Sequence, residues 1–246
     1  MLRLVLRLAR EGHGAFLDAL APPHCPACGV PSAGLCRPCG DRLERRREPS
    51  CPRCGEVLPG PGRPCRATHE GLRGIAWARA PFRYAGTGGA LVRRLKFEAD
   101  WAAGIELASA MAATLRPQLV GAWRKPLLVP VPLHRDRARE RGFNQAAWLG
   151  AGIATACGIA LVPRQLVRCR ATLPQGDPRV LGRAANVEGA FALAGRSMVR
   201  ARRVVLVDDV TTSGATARTC ARVLRDHGAL EVALLTACAS APGSGA

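Results

Sequence analysis

VVLVDDVTTSGATA, residues 204–217, is the stretch whose reading decides the fold. Val204-Val205-Leu206-Val207 is an unbroken apolar run, the pattern of a strand buried on both faces, and it leads straight into Asp208-Asp209. Residues 215–227 read as a helix. Between the two, Thr211-Thr212-Ser213-Gly214-Ala215-Thr216 leaves backbone N–H groups uncovered by bulky side chains. At a helix N-terminus such orphan donors, together with the macrodipole, favour an anion. The stretch therefore predicts a phosphate cradle with two acids beside it.

A Walker A loop would need Gly-Lys-Ser/Thr and a dinucleotide fold would need GxGxxG, and neither follows this strand. Acids come first here and the phosphate cradle second. The hydroxyls of a ribose can each donate to a carboxylate while a 5′-phosphate on the same sugar takes the loop N–H groups. One phosphorylated ribose satisfies both halves.

Working outward, residues 232–238, 127–132 and 75–84 read as further strands, and 88–97, 101–116 and 143–157 as helices, the last with Asn144 as its cap. Strands alternating with helices predict an α/β fold with a mostly parallel sheet, whose ligands lie at the carboxyl ends of the strands. Between them stand a basic stretch, 134–141, with Arg135, Arg137, Arg139 and Arg141, and a polar segment, 164–189, without periodicity and read as a loop. Residues 240–246 read as a frayed tail.

The 246 residues suffice for one α/β core and a small accessory module, expected at 73–246 and 1–72 respectively. With 36 Lys+Arg against 18 Asp+Glu, the formal charge of +18 favours phosphorylated ligands, nucleic acid or an acidic partner. Aromatic residues are only 4%, which argues against a single-strand binding face of stacked rings. The opening MLRLVLRLAR is interrupted by Arg3, Arg7 and Arg10, so it reads as a short amphipathic helix with Leu2, Val5, Leu6 and Leu8 on its apolar side. No apolar run is long enough to span a membrane, and the chain is expected to be cytoplasmic.

Six of the eleven cysteines form three CxxC pairs: Cys25/Cys28, Cys36/Cys39 and Cys51/Cys54. Two thiolates separated by two residues form a knuckle that grips one face of a tetrahedral Zn²⁺. In CPACG and CPRCG, Pro and Gly favour a tight turn that aims backbone N–H groups at sulfur, and Gly29 and Gly55 can take positive φ. The first two pairs make one four-cysteine site; Cys51, Cys54, Cys65 and His69 make a second, with His69 in place of a fourth cysteine. Spacing also permits an interleaved arrangement of Cys25/Cys28 with Cys51/Cys54. One or two structural zinc ions are expected, folding a segment too short for a core of its own. The remaining Cys157, Cys169, Cys220 and Cys238 read as buried thiols.

The order strand, Asp208-Asp209, Val210-Thr211-Thr212-Ser213-Gly214-Ala215-Thr216 resembles the phosphoribosyl pyrophosphate (PRPP) signature of type I phosphoribosyltransferases. A narrower likeness spans nearly the whole chain. FLDALAPPHCPACG, Leu95-Lys96-Phe97, VPVPLHRDRARERGFNQA, Arg170-x-Thr172-x-x-Gln175 and Arg183-x-x-Asn186-Val187-x-Gly189-Ala190-Phe191 precede the PRPP motif in the order found in the ComF family.

That resemblance implies a type I phosphoribosyltransferase-like domain behind a double zinc ribbon. Asp208 and Asp209 would hold the ribose hydroxyls, and any Mg²⁺ indirectly; residues from Val210 to Thr216 would bind the 5′-phosphate. Lys96, Arg135, Arg139 and Arg141 are the candidates for pyrophosphate. The segment with Arg170, Thr172, Gln175, Arg183 and Asn186 would close over the ligand, and His134 reads as a turn residue. The implied role is in competence, the import of transforming single-stranded DNA, with single-stranded DNA and a ComFA-like ATPase as partners. The other readings are a phosphoribosyltransferase of nucleotide metabolism with an unidentified acceptor, and a PRPP-sensing regulator without chemistry.

Overall fold

The computed structural model describes residues 23–46, 48–65, 67, 69–170 and 189–240. The amphipathic reading of residues 1–10, the positions Thr172, Gln175, Arg183 and Asn186, and the tail beyond 240 lie outside them.

The central sheet consists of β1 (Ala78–Arg79), β2 (Phe82–Arg83), β3 (Leu127–Pro130), β6 (Arg203–Thr211) and β7 (Glu231–Ala239), in the order β1-β7-β6-β3, with β2 also on β7. Every pairing in it is parallel. Val204, Val205, Leu206 and Val207 of β6 are fully buried because the strand is covered on both faces. Val204 and Leu206 pack with Leu127, Val129, Val232 and Leu234 beneath helix α6 (Ala215–Asp226). Val205 and Val207 pack on the other face, where helices α2 (Gly86–Glu98), α3 (Trp101–Leu115) and α5 (Gln145–Cys157) supply Leu91, Leu107, Met111 and Leu149.

The α/β class and parallel sheet agree with the sequence reading, and three details differ from it. Residues 75–84 form two short strands rather than one, because Pro81 lacks the N–H that a continuous ladder requires. The basic stretch is helix α4 (Arg135–Arg141); its arginines alternate at every second residue, so no apolar stripe announces a helix. The segment read as a loop holds strand β4 (Leu166–Arg168), paired antiparallel with β5 (Phe191–Leu193). Asn144 caps α5, its Oδ1 accepting from the N–H of Ala146 at 2.9 Å.

Among its described residues the cysteine-rich segment has one short α-helix, α1 (Arg37–Asp41), and it rests against the sheet domain. Leu43 enters the apolar layer under α2 and α3, Glu56 pairs with Arg46 and, at 2.6 Å, with Arg83, and Ala78 N–H donates to the Arg53 carbonyl at 2.7 Å. Among the described residues no helix is long and apolar enough to cross a membrane.

Candidate functional site

Strand β6 ends at Thr211, and Thr212-Ser213-Gly214 turns the chain into α6. Gly214, at φ 73°, is the N-cap of α6 and makes no side-chain cap bond, so the first N–H groups of the helix remain for water or a ligand. Only glycine suits this position: the left-handed backbone disfavours a Cβ, and a Cβ would also strike the backbone of Gly71. A Cβ on Gly71 would in turn strike the Ser213 carbonyl. The turn is therefore braced by Gly71, two residues beyond the candidate metal ligand His69.

Successive strand residues point to opposite faces, and this separates the two acids. Asp208 lies on the α6 face, half-buried, and lines a small cavity of about 40 Å³ together with the backbone from Thr211 to Thr216. Its Oδ1 accepts the N–H of Asp209 at 2.8 Å. Burial, and then the neighbouring Asp209 charge, push the Asp208 pKa up to about 7 against the opposing pull of Lys96 and Arg168.

Asp209 faces the other layer and is 3% exposed. Lys96 Nζ stands 2.7 Å from its Oδ1, and Gln145 Nε2 donates to its Oδ2 at 2.6 Å. Gln145 Oε1 accepts from Arg141 Nη1 at 3.1 Å, and the Arg141 guanidinium lies 5.3 Å from the centre of the Phe97 ring. Both oxygens of Asp209 are thus occupied by a network that ties α2, α4 and α5 to the strand.

Of the residues singled out in the sequence, the fold brings Asp208 and the run from Val210 to Thr216 into one cavity, while Asp209 and Lys96 pair behind the strand. Arg141 joins that pair through Gln145. Arg135 and Arg139 stand exposed on α4 and do not line the cavity. His134 caps α4, its ring nitrogen accepting from the N–H of Asp136 at 3.4 Å, as a turn residue would. Gln145 escaped the sequence reading. Its only mark there was its place just after the capping Asn144.

The cysteine module gathers two tetrads: Cys25, Cys28, Cys36 and Cys39, and Cys51, Cys54, Cys65 and His69, the ligand atoms of each within 4.8 Å of one another. The interleaved pairing is thereby replaced by the sequential one. Four sulfurs about 2.3 Å from a tetrahedral Zn²⁺ stand roughly 3.8 Å apart. Cys28 and Cys36 Sγ are 3.7 Å apart, Cys54 and Cys65 Sγ 3.6 Å, and His69 Nε2 lies 3.5 Å from Cys51 Sγ and 3.3 Å from Cys54 Sγ. Both donor sets therefore fit zinc.

Gly29 and Gly55 take φ of 81° and 66° and close the two knuckle turns by donating to the carbonyls of Cys25 and Cys51, both at 2.8 Å. Within the first tetrad burial raises the Cys25 thiol, yet backbone N–H groups of Cys36, Ala27 and Cys28 bring it down to about 6, while burial and neighbouring thiols push Cys39 up to about 12. Without a cation the four sulfurs do not share negative charge readily. Of the remaining cysteines, Cys220 and Cys238 are buried as expected, Cys157 is partly buried, and Cys169 is exposed just beyond β4, contrary to expectation.

Comparison with known proteins supplies relatives. Residues 16–69 match the double zinc ribbon domain family. The chain is 32% identical over 220 residues to the DNA utilization protein YhgH of Salmonella typhimurium, covering 87% of this chain and 83% of the relative. It is 30% identical over 222 residues to the protein of the same name from Escherichia coli, with the same coverage. Competence protein F of Haemophilus influenzae is 34% identical over 106 residues, 43% of this chain and 46% of that protein. Among solved structures, the allosteric regulatory enzyme of purine biosynthesis aligns with TM-score 0.35 and 23% identity, over 55% of this chain and 25% of that one. A purine phosphoribosyltransferase from Pyrococcus horikoshii aligns with TM-score 0.30 and 17% identity, over 53% and 69%.

Proposed function

The chain belongs to the ComF family, and from that premise we propose that it binds PRPP or a related phosphorylated ribose at the β6–α6 turn and acts in the uptake and use of external DNA. The observation that carries the ribose-phosphate half is the shared cavity of Asp208 and the uncapped N-terminus of α6. A 5′-phosphate accepts from the loop N–H groups and the side chains of Thr211, Thr212, Ser213 and Thr216, and a ribose hydroxyl donates to Asp208. Asp209 acts through position: its pairing with Lys96 and Gln145 fixes the strand end from behind.

Among the described residues Asp208 is the one carboxylate lining the cavity, which suits a Mg²⁺ that arrives already bound to pyrophosphate rather than one held by the chain alone. The chemistry Mg²⁺ supplies in such a complex is neutralisation of pyrophosphate charge. In this reading Arg135 and Arg139, exposed on the helix that follows β3, would meet that pyrophosphate from outside the cavity. The names of the relatives, a DNA utilization protein and a competence protein, support the DNA half of the reading; single-stranded DNA and a ComFA-like ATPase are the partners it proposes.

Calorimetric titration of PRPP with Mg²⁺ tests the site. Wild type should bind, and Asp208→Asn should weaken binding at least about tenfold, the loss of one charge-assisted hydrogen bond. A folded wild-type chain that takes up no PRPP would end the ribose-phosphate reading.

A further inference from the structure

A second cavity, of about 660 Å³, lies beyond the phosphate turn on the outer side of α6. Its walls are Arg218, Arg222 and Arg225 of the helix, Arg73-Gly74 of the segment after the cysteine module, and Leu230 before β7. On a helix, residues four and three apart lie along one stripe, so the three helical arginines form a row roughly 10 Å long. Gly74, at φ 78°, makes room for the row: a Cβ there would stand 3.2 Å from Arg225 Nη1. The backbone of Arg73 is fixed by its N–H bond to Glu70 and by the 2.8 Å bond from Ala76 N–H to Val232.

Arginines brought together in a fold usually come with carboxylates. Among the described residues Asp226 is the only acid on these walls; Arg222 has a partner, whereas Arg73, Arg218 and Arg225 make no ion pair or side-chain hydrogen bond with any described residue. The like charges of Arg73, Arg218 and Arg225 around one hollow repel each other, and an entering anion relieves that repulsion. Guanidinium forks match phosphate oxygens bidentately, and a row of them matches phosphates in series. Leu230, 55% exposed, adds an apolar surface beside the row.

We propose that this arginine-lined cavity is a second anion site, separate from the ribose-phosphate turn, that takes consecutive phosphates of a single nucleic-acid strand. It gives the DNA-handling half of the proposed function a location, and it stands apart from PRPP binding. The strand lies along α6 with Arg73 closing over it.

The test measures binding of an oligothymidylate to wild type and to Arg73→Gln/Arg218→Gln/Arg225→Gln over a range of salt. Each phosphate contact on a single strand contributes about 0.7 to the slope of log K against log salt. Losing three should flatten the slope by about 2 and weaken binding about a hundredfold at 0.1 M salt. The corresponding triple Lys variant should keep most of the slope. Arg37→Gln/Arg53→Gln/Arg63→Gln, exposed on the cysteine module, removes the same charge elsewhere and should leave the slope near wild type.

An unchanged slope in the cavity variant overturns the proposal, as does an equal loss in the cysteine-module variant. Inorganic tripolyphosphate competing as well as the strand at equal phosphate concentration would assign the site to a free polyphosphate instead, and equal competition by polyglutamate would make it a site for acidic protein. PRPP titration of the cavity variant keeps the readings apart: retained PRPP binding with lost strand binding supports the cavity, and PRPP binding by a wild type that ignores the oligonucleotide overturns it while leaving the turn intact.

Discussion

Among the described residues of the cysteine module the buried hydrophobic ones are Cys25, Leu43 and Cys51, and two of these three are candidate metal ligands. In β6 alone, Val204, Val205, Leu206 and Val207 are all fully buried. The sheet domain is closed by apolar area on both faces of its strands, worth about 25 cal/mol for every Å² removed from water. Among its described residues the module shows no such layer, and its short helix α1 and its turns converge on two sets of candidate ligand atoms. Order in the module is therefore expected to depend on a cation, whereas order in the sheet rests on its own apolar layers. The two also meet at Gly71 against Ser213-Gly214, where the segment just after the candidate ligand His69 braces the phosphate turn.

Metal removal should break this comparison most sharply. Structural zinc in small modules contributes apparent binding free energies of about 10–16 kcal/mol, far above any single contact in the sheet. The intact chain should carry two zinc ions by atomic absorption. After chelation, limited proteolysis should cut between residues 25 and 69 while a fragment containing the sheet survives, and amide exchange at the turn before α6 should quicken as its brace loosens. A metal-free chain that resists protease throughout would show that the module folds without its ions.

A smaller effect should come from the pair behind the strand. Lys96→Met leaves the buried Asp209 carboxylate with Gln145 alone, and breaking a buried ion pair from one side costs about 3–5 kcal/mol. Lys96→Met/Asp209→Asn removes both charges and should recover most of that loss in urea unfolding. If the double variant is no more stable than the single, the network matters through Gln145 and Arg141 rather than through the charges.

These two residues also show how far the sequence could be read. The strand, the acids, the turn and the helix after them were legible in VVLVDDVTTSGATA because apolar continuity and small residues are local signals. Read from the sequence, Asp208 and Asp209 share one role, although strand alternation alone assigns adjacent residues to opposite faces. What filled each face was not local: Lys96 and Gln145 reach Asp209 across separations of 113 and 64 residues. The cysteine pairs were legible as knuckles, but their assortment into tetrads depended on the path of the chain between them. The arginine cavity combines one residue after the module with three on α6, and composition reported it only as excess charge.

The smallest expected effect separates the two acids of β6 by pH. Asp208 titrates in the folded chain near 7, above the ordinary value of 3.8, because burial and the Asp209 charge favour its protonated form. Between those values the folded state holds a proton that the unfolded state has released, so this group makes stability fall as pH rises from about 4 to about 7 and then level off. Asp208→Asn cannot ionise and should lack that slope. The variant should match wild type near pH 4 and exceed it by about 1–2 kcal/mol near pH 8, since each tenfold change in proton affinity is worth about 1.4 kcal/mol before solvent screening of a half-buried group is allowed for. Urea midpoints at the two pH values measure the difference. A variant less stable than wild type at pH 8 would mean that the ionised carboxylate is held by favourable partners, and that the turn is completed by Asp208 itself rather than by an arriving ligand. The predicted gain, combined with weaker PRPP binding, would instead mark Asp208 as a group held at a cost to stability until a ligand hydroxyl or its cation engages it.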